Sequence, residues 1–409
     1  MINILFVDDE PNILSGLERM LRSVRNEWNM MFAPGGNEAL AIFAEKPIDV
    51  VVSDMKMPGM DGSEFLETVR EKYPKVVRII LSGYSEKEMI IKSVGTAHQY
   101  LSKPCDSETL KATVNRVCEL NELLTNDNLR GLVSKLPTVP SLPLLYSELI
   151  DELGKDEPST NLVSAIVKQD IGMTSKILQI VNSAFFGLSR SISDPKGAVE
   201  ILGLDTISSL TLGLGLISQF DKKISGVFLT NIWDHSMAVG TMAKKIAHLE
   251  NQEIVNDAFT AGLLHNIGKV VLAINFPPEF ASLNKIVKEE GISLVEAERH
   301  VFKATSSEVG AYLLGLWGLR REVVQAVTFH NHPSDSRSRS FSAITAIHVA
   351  DAFQNYVSGR DSAAVEPAYD MDYLSSIGVS HKIPLWQDRC SENREAEEHY
   401  REELVYQGV

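Results

Sequence analysis

The chain has 409 residues, 44% of them hydrophobic and 23% charged, and its 54 acidic against 39 basic side chains give a formal net charge of −15. That length predicts two or three domains, each large enough to bury a core, and the acidic balance argues against a nucleic-acid phosphate backbone as the main partner. Three widely spaced cysteines (Cys105, Cys118, Cys390) form neither a disulfide framework nor a zinc pattern and fit a reducing cytoplasm. The first residues form an apolar run that ends in acids, which is not a signal peptide, and the richest apolar stretch, Leu210 to Ile217, is too short to span a membrane.

In chain order, Ile-Asn-Ile-Leu-Phe-Val (2–7) reads as a buried β-strand ending in Asp8-Asp9. Pro11, Leu14, Leu17, Met20, Leu21 and Val24 follow at helical spacing, and Ala39, Leu40, Ile42 and Phe43 repeat the pattern. Residues 48–53 read as a strand ending in Asp54; Phe65, Leu66 and Val69 follow Gly62 on a helix that closes at Tyr73-Pro74. Residues 76–81 lead to Ser82, and 99–102 lead to Lys103. Strand–helix alternation of this kind predicts a parallel sheet flanked by helices. Ligands of such sheets bind beyond the carboxyl ends of the strands. Asp8, Asp9, Asp54, Ser82 and Lys103 are therefore expected at one edge.

Residues 106–135 read as a last helix that runs past the sheet as a linker. Its stretch 117–130 has two readings, packing on its own sheet or a stalk that would make a homodimer. Leu136-Pro137-Thr138-Val139-Pro140 breaks it. From 141 to about 357 the pattern is that of many short helices with no convincing strand. Residues 358–409 are weakly patterned, and their end reads as a charged helix or frayed tail. The expected domains are 1–122, a helical linker at 123–135, an all-α domain at 136–357 and an extension at 358–409.

Three carboxylates, a hydroxyl and an ammonium suit the transfer of a phosphoryl group to an aspartate. Mg²⁺ takes oxygen ligands and keeps several waters. Asp9 and Asp54 supply carboxylates, Asp8 holds a bound water, and the backbone carbonyl of Lys56 completes the protein's share. Lys103 pairs with phosphate oxygens, Ser82 donates to them, and Tyr100 is the aromatic expected to turn inward when Ser82 moves. Asp8-Asp9, Asp54-Met-Lys-Met-Pro58-Gly-Met-Asp-Gly62, Leu81-Ser82-Gly83 and Lys103-Pro104 together resemble a bacterial two-component receiver domain. The resemblance covers about residues 1–122. It implies a five-stranded doubly wound (βα)₅ fold, phosphotransfer from a sensor histidine kinase to Asp54, a requirement for Mg²⁺ and a cis peptide before Pro104.

The second region carries His235 in Trp233-Asp-His-Ser, read as the start of a helix, then His265-Asn266, His330-Asn331-His332-Pro333, and His348 with Asp351 on one helix face. This order is similar to the HD superfamily of metal-dependent phosphohydrolases, where His…His-Asp…Asp binds metal. Two departures matter. Asn266 stands where the family has aspartate, and a neutral carboxamide does not bridge two cations; Ser306 stands where the cyclic-dinucleotide phosphodiesterases have a histidine. Upstream, Leu136-Pro-Thr-Val-Pro140, Val167-Lys-Gln-Asp170, Asn182-Ser-Ala-Phe185 and Ala198-Val-Glu-Ile-Leu-Gly203 resemble an HDOD domain, a relative of HD hydrolases generally without catalytic residues. That resemblance runs from about 132 to 357. It implies an all-α output domain with no cofactor, His235, His265, Asn266, Ser306, His330 and Asp351 being degenerate positions.

The expectation is a cytoplasmic, non-enzymatic regulator whose output is protein–protein contact, with a kinase and another signalling protein as partners, neither nucleic acid nor membrane among them. The partner would be an HD-type phosphodiesterase or a kinase. The competing expectation is an HD-type metal-dependent cyclic-dinucleotide phosphodiesterase.

Overall fold

A computed structural model describes residues 1–73, 76–82, 97, 99–103, 105, 107–111, 113–115, 129, 132–133, 144–153, 155, 157–182, 192–219, 224–359 and 367–391. Pro104, most of the linker, Ser183-Ala184-Phe185, the tail beyond 391 and the side chains of Ser82 and Tyr100 lie outside the described residues. The chain divides into two compact units. One holds Met1–Ser141 with Glu298–Ala304 and Tyr312–Leu319; the other holds Leu142–Ala297, Thr305–Ala311 and Arg320–Val409.

In the first unit, β1 (Ile2–Val7), β2 (Trp28–Ala33), β3 (Val50–Asp54), β4 (Val77–Ser82) and β5 (Gln99–Ser102) form one sheet of order β2-β1-β3-β4-β5. Every pairing is parallel. Burial on both faces explains the unbroken β-branched runs: all five residues of β3 are buried. Helices α1 (Pro11–Met20), α2 (Gly36–Glu45) and α3 (Gly62–Lys72) follow the first three strands. On one face Leu5, Val7 and Val51 pack with Phe43, Phe65, Leu66 and Val69. Burying each such side chain contributes about 1.5–3 kcal/mol.

The chain winds from β1 outward to β2 and then returns to β3 on the other side, so strand order reverses at the β1/β3 pair. A crevice opens at such a reversal, and Asp8-Asp9 and Asp54 stand at its rim. Helix α3 is seated tightly beneath it. Asp61 caps it by accepting from the Glu64 N–H at 2.9 Å, and the Gly62 N–H donates to the Met55 carbonyl. A Cβ at Gly62 would stand 2.2 Å from the Asp54 carbonyl oxygen, so glycine lets the helix press on the loop after β3.

Beyond 143 all described regular structure is helical: α4 (Leu144–Leu153), α5 (Thr160–Lys168), α6 (Ile171–Val181), α7 (Pro195–Leu202), α8 (Leu204–Ser218), α9 (Gly226–Glu250), α10 (Val255–Leu264), α11 (Ile267–Asn275), α12 (Pro277–Glu290), α13 (Leu294–Phe302), α14 (Ser306–Leu316), α15 (Arg321–Phe329), α16 (Ala343–Val357), α17 (Met371–Ser376) and α18 (Ile383–Ser391). Helix α9 packs against both α10 and α16. At 25 residues it departs from the expected short helices. His235 accordingly lies inside α9 and not at a helix start, because the helix opens at Gly226. Asp170 caps α6 by accepting from the Met173 N–H, and at the other end Asn182 donates to Leu178 O and Ile192 O and accepts the Ile192 N–H. The extension is partly integral, since Trp386 Nε1 donates to Glu250 and Lys382 pairs with the same carboxylate at 2.5 Å. Among the described residues no single helix is long and apolar enough to cross a membrane.

Candidate functional site

At the β1/β3 edge one carboxylate oxygen each from Asp8, Asp9 and Asp54 lies within 4.8 Å of the others. Asp8 and Asp54 are buried. Lys103, directly after β5, reaches both of these, with Nζ 2.8 Å from Asp8 Oδ2 and 2.6 Å from Asp54 Oδ1. Asp8 Oδ1 accepts the Glu10 N–H at 2.9 Å, which aims the carboxylate. Burial pushes the Asp54 carboxyl above its ordinary value, against the opposing pull of Lys103, and nearby Asp8 adds to the rise. Burial alone would lower Lys103, but its hydrogen bonds to Asp54 and Asp8 win and hold the ammonium above its ordinary value.

Three carboxylates face one ammonium. An all-oxygen donor set with uncompensated negative charge fits Mg²⁺. Lys56 lies two residues past Asp54, its side chain exposed between the buried Met55 and Met57. Ser82 ends β4 opposite Ser102, and Tyr100 pairs with Ile80. Gly62 was legible only as the end of the motif that begins at Asp54, and its contact with the Asp54 carbonyl was not.

The second cluster draws on four elements. His235 is on α9, His265 and Asn266 form the turn between α10 and α11, His330 caps α15, and Asp351 is on α16. His235 Nε2 lies 2.8 Å from Asp351 Oδ1, and His265 Nε2 lies 3.4 Å from the same oxygen. The His265 ring stands 5.4 Å from that of His235 and 5.1 Å from that of His330. His265 Nδ1 donates to Gly262 O at 2.6 Å and His330 Nδ1 to Val327 O at 2.8 Å, which fixes the orientation of both rings. Burial pushes the His330 imidazole down to about 3, so it is neutral. At Asp351 burial acts upward, but bonding to His235 and His265 outweighs it and holds the carboxyl well below its ordinary range. Ser306 opens α14 and is buried.

His348 is separate from this cluster. Its Nδ1 donates to His330 O at 2.7 Å, and its Nε2 accepts the Asp370 N–H at 2.8 Å. Both ring nitrogens are used, so the residue is a strut joining α16 to the start of α17. Burial lowers its imidazole below the ordinary value. The neutral form is therefore favoured in the folded state. Its contribution to stability is complete above the unfolded value near ~6.5 and is lost as pH falls below it. His348→Ala is expected to cost about 2–4 kcal/mol. Urea midpoints at pH 7.5 and 5.5 check both points: the parent should lose stability at the lower pH, and the variant should lose less. An unchanged midpoint in the variant would refute the strut.

Comparison with known proteins finds two domain families along the chain. The family profile of the response regulator receiver domain matches residues 4–115, and that of the HDOD domain matches residues 139–333. The hydrogenase transcriptional regulatory protein HoxA of Cupriavidus necator is 38% identical over 122 residues, 29% of this chain and 25% of that protein. An uncharacterized protein of Treponema pallidum is 25% identical over 207 residues, 49% of this chain and 39% of that one. The chain thus spans between 25% and 39% of these relatives' lengths. A solved structure from Shewanella amazonensis, named as a phosphohydrolase, shares the fold with TM-score 0.51 at 20% identity, covering 70% of this chain and 96% of that one. The chain carries a response regulator receiver domain over residues 4–115, followed by an HDOD domain over residues 139–333.

Proposed function

We propose that Asp54 is the phosphoacceptor of a two-component phosphorelay and that the HDOD domain is a non-catalytic output. The observation that carries this is Lys103, whose ammonium is shared between Asp8 and Asp54 at the point where strand order reverses. An Asp54 oxygen attacks the phosphorus of a kinase phosphohistidine; the P–O bond forms as the P–N bond breaks, and the imidazole leaves. Asp8, Asp9, Asp54 and the Lys56 carbonyl are the groups that would hold Mg²⁺, which supplies charge neutralisation on the transferring phosphoryl group. The new group carries about −1.5 to −2 charges. Lys103 then pairs with its oxygens and leaves Asp8, Ser82 donates to them, and Tyr100 follows. This rearrangement biases the HDOD domain toward a second signalling protein, with an HD-type phosphodiesterase or a kinase as the favoured class. The work is cytoplasmic, where the kinase's phosphoryl donor is available.

A phosphodiesterase reading of the second cluster is less well supported. Asp351 supplies a carboxylate there, but Asn266 is a neutral amide, and a two-metal hydrolase needs a bridging anion. A cyclic-dinucleotide hydrolysis assay separates the two readings, and turnover would favour the second. The output is tested by capture of partners from lysate on the full chain with and without beryllofluoride as phosphoryl mimic. The expected result is a partner whose retention changes with the mimic in the parent and not in Asp54→Asn; identical retention throughout would remove the proposed output.

A further inference from the structure

The helical unit holds a cavity that shares no residue with the histidine cluster. It measures about 250 Å³ and lies between α15, the turn that holds Ile254, the loop 336–338 and the start of α16. Liquid water would fill it with about eight molecules, so a ligand of about ten non-hydrogen atoms fits. One wall is a single face of α15. Glu322, Gln325 and Phe329 recur there at steps of three and four and line up over about 10 Å of helix. Ile254 and Ile344 join the Phe329 ring as an apolar bed.

Two polar groups at this cavity are unspent. The Gln325 amide and the Arg337 guanidinium make no hydrogen bond or ion pair among the described residues. Glu322, by contrast, has its carboxylate 3.6 Å from Arg320 Nε. The unspent charge is therefore positive. Arg337 belongs to the polar run Ser334-Asp-Ser-Arg-Ser-Arg-Ser340, which neither site described above uses. The loop is held by its own serines: Ser336 is 5% exposed and donates to Pro333 O at 2.7 Å, and Ser338 Oγ lies 3.0 Å from Ser340 O.

A guanidinium meets a planar carboxylate with two parallel hydrogen bonds. We propose that this cavity binds a small organic acid, with its carboxylate on Arg337 and a ring-bearing apolar body against Phe329, Ile254 and Ile344. Gln325 takes a polar substituent of that body. An apolar lining with a few convergent polar groups is the usual form of a small-molecule site. Such a ligand gives the HDOD domain an input besides the phosphoryl group. The site stands independently of the phosphoacceptor reading, because no lining residue belongs to the receiver domain.

The test titrates phenylacetate, a ring with one carboxylate, into the full chain labelled at its isoleucine methyl groups. The expected result is saturable binding with a dissociation constant of about 1 mM or tighter, seen as shifts of the Ile254 and Ile344 methyl signals. Acetate, which lacks the body, should bind at least about tenfold more weakly. Arg337→Gln should weaken phenylacetate by about tenfold or more. Arg339→Gln removes the same charge from the same loop without touching the lining, and its binding should stay within about twofold of the parent. Both arginines are exposed, and methyl spectra that match the parent's in the absence of ligand show that the variants fold. No saturable shift up to about 10 mM, saturation that leaves Ile254 and Ile344 unmoved, or equal weakening in the two arginine variants would overturn the site.

Discussion

Asp54→Asn is expected to lower phosphoryl uptake from acetyl phosphate and Mg²⁺ by on the order of a hundredfold or more, because it removes the attacking oxygen anion. The same variant should remain folded. Burial raises the Asp54 carboxyl, and Asp8 adds like-charge repulsion. A neutral amide relieves that repulsion, while Lys103 retains Asp8 at 2.8 Å. Melting temperature should therefore be equal or higher, which separates lost chemistry from lost structure. Radiolabel incorporation and a thermal melt on one preparation measure both. Full labelling of the variant would exclude Asp54 as the acceptor. Removing Mg²⁺ with chelator should suppress uptake in the parent as strongly, since three carboxylates and a dianionic phosphoryl group would then meet with Lys103 as their nearest counter-charge.

Gly268→Ala is expected to destabilise the HDOD domain by about 3 kcal/mol or more, at or beyond the upper end of overpacking costs. A Cβ there would stand 1.9 Å from the Ser306 carbonyl oxygen and 2.7 Å from the Gly310 nitrogen. Both obstacles are backbone, so no side chain can swing aside, and α11 must move away from α14. Because α11 follows directly on Asn266, the His265-Asn266 turn would move with it. Gly226→Ala on the first turn of α9 is the control, with nothing within 4 Å of the added carbon. Its stability should be unchanged or slightly raised, since alanine favours helix over glycine by about 1 kcal/mol. Urea unfolding of the two variants side by side should separate them clearly; equal midpoints would show that the α11–α14 crossing is loose.

What could be read from the sequence follows from where information is local. The strands that end at Asp8, Asp54 and Ser82 lie inside the sheet and are rich in β-branched residues, so their runs were visible and their chemistry fell at their ends. The strand Trp28–Ala33 was not singled out. It is an edge strand, Trp-Asn-Met-Met-Phe-Ala carries no β-branched residue, and it takes its place by pairing with β1. His235 was placed at a helix start, whereas α9 opens at Gly226 and runs through it. The convergence of His235 with Asp351 spans 116 positions and joins two helices, and no spacing rule gives a distance of 2.8 Å. Nor could sequence show that His348 spends both nitrogens on backbone groups while its neighbour His330 gives Nδ1 to Val327 O.

The central claim is that the receiver's carboxylate edge is built to phosphorylate one residue. It is tested most directly by treating the full chain with acetyl phosphate and Mg²⁺, reducing the acyl phosphate with borohydride and mapping the peptides by mass. The account predicts conversion of residue 54 to homoserine and of no other carboxylate. Conversion at Asp8 or Asp9 instead, or no incorporation at all in a folded protein, would contradict it.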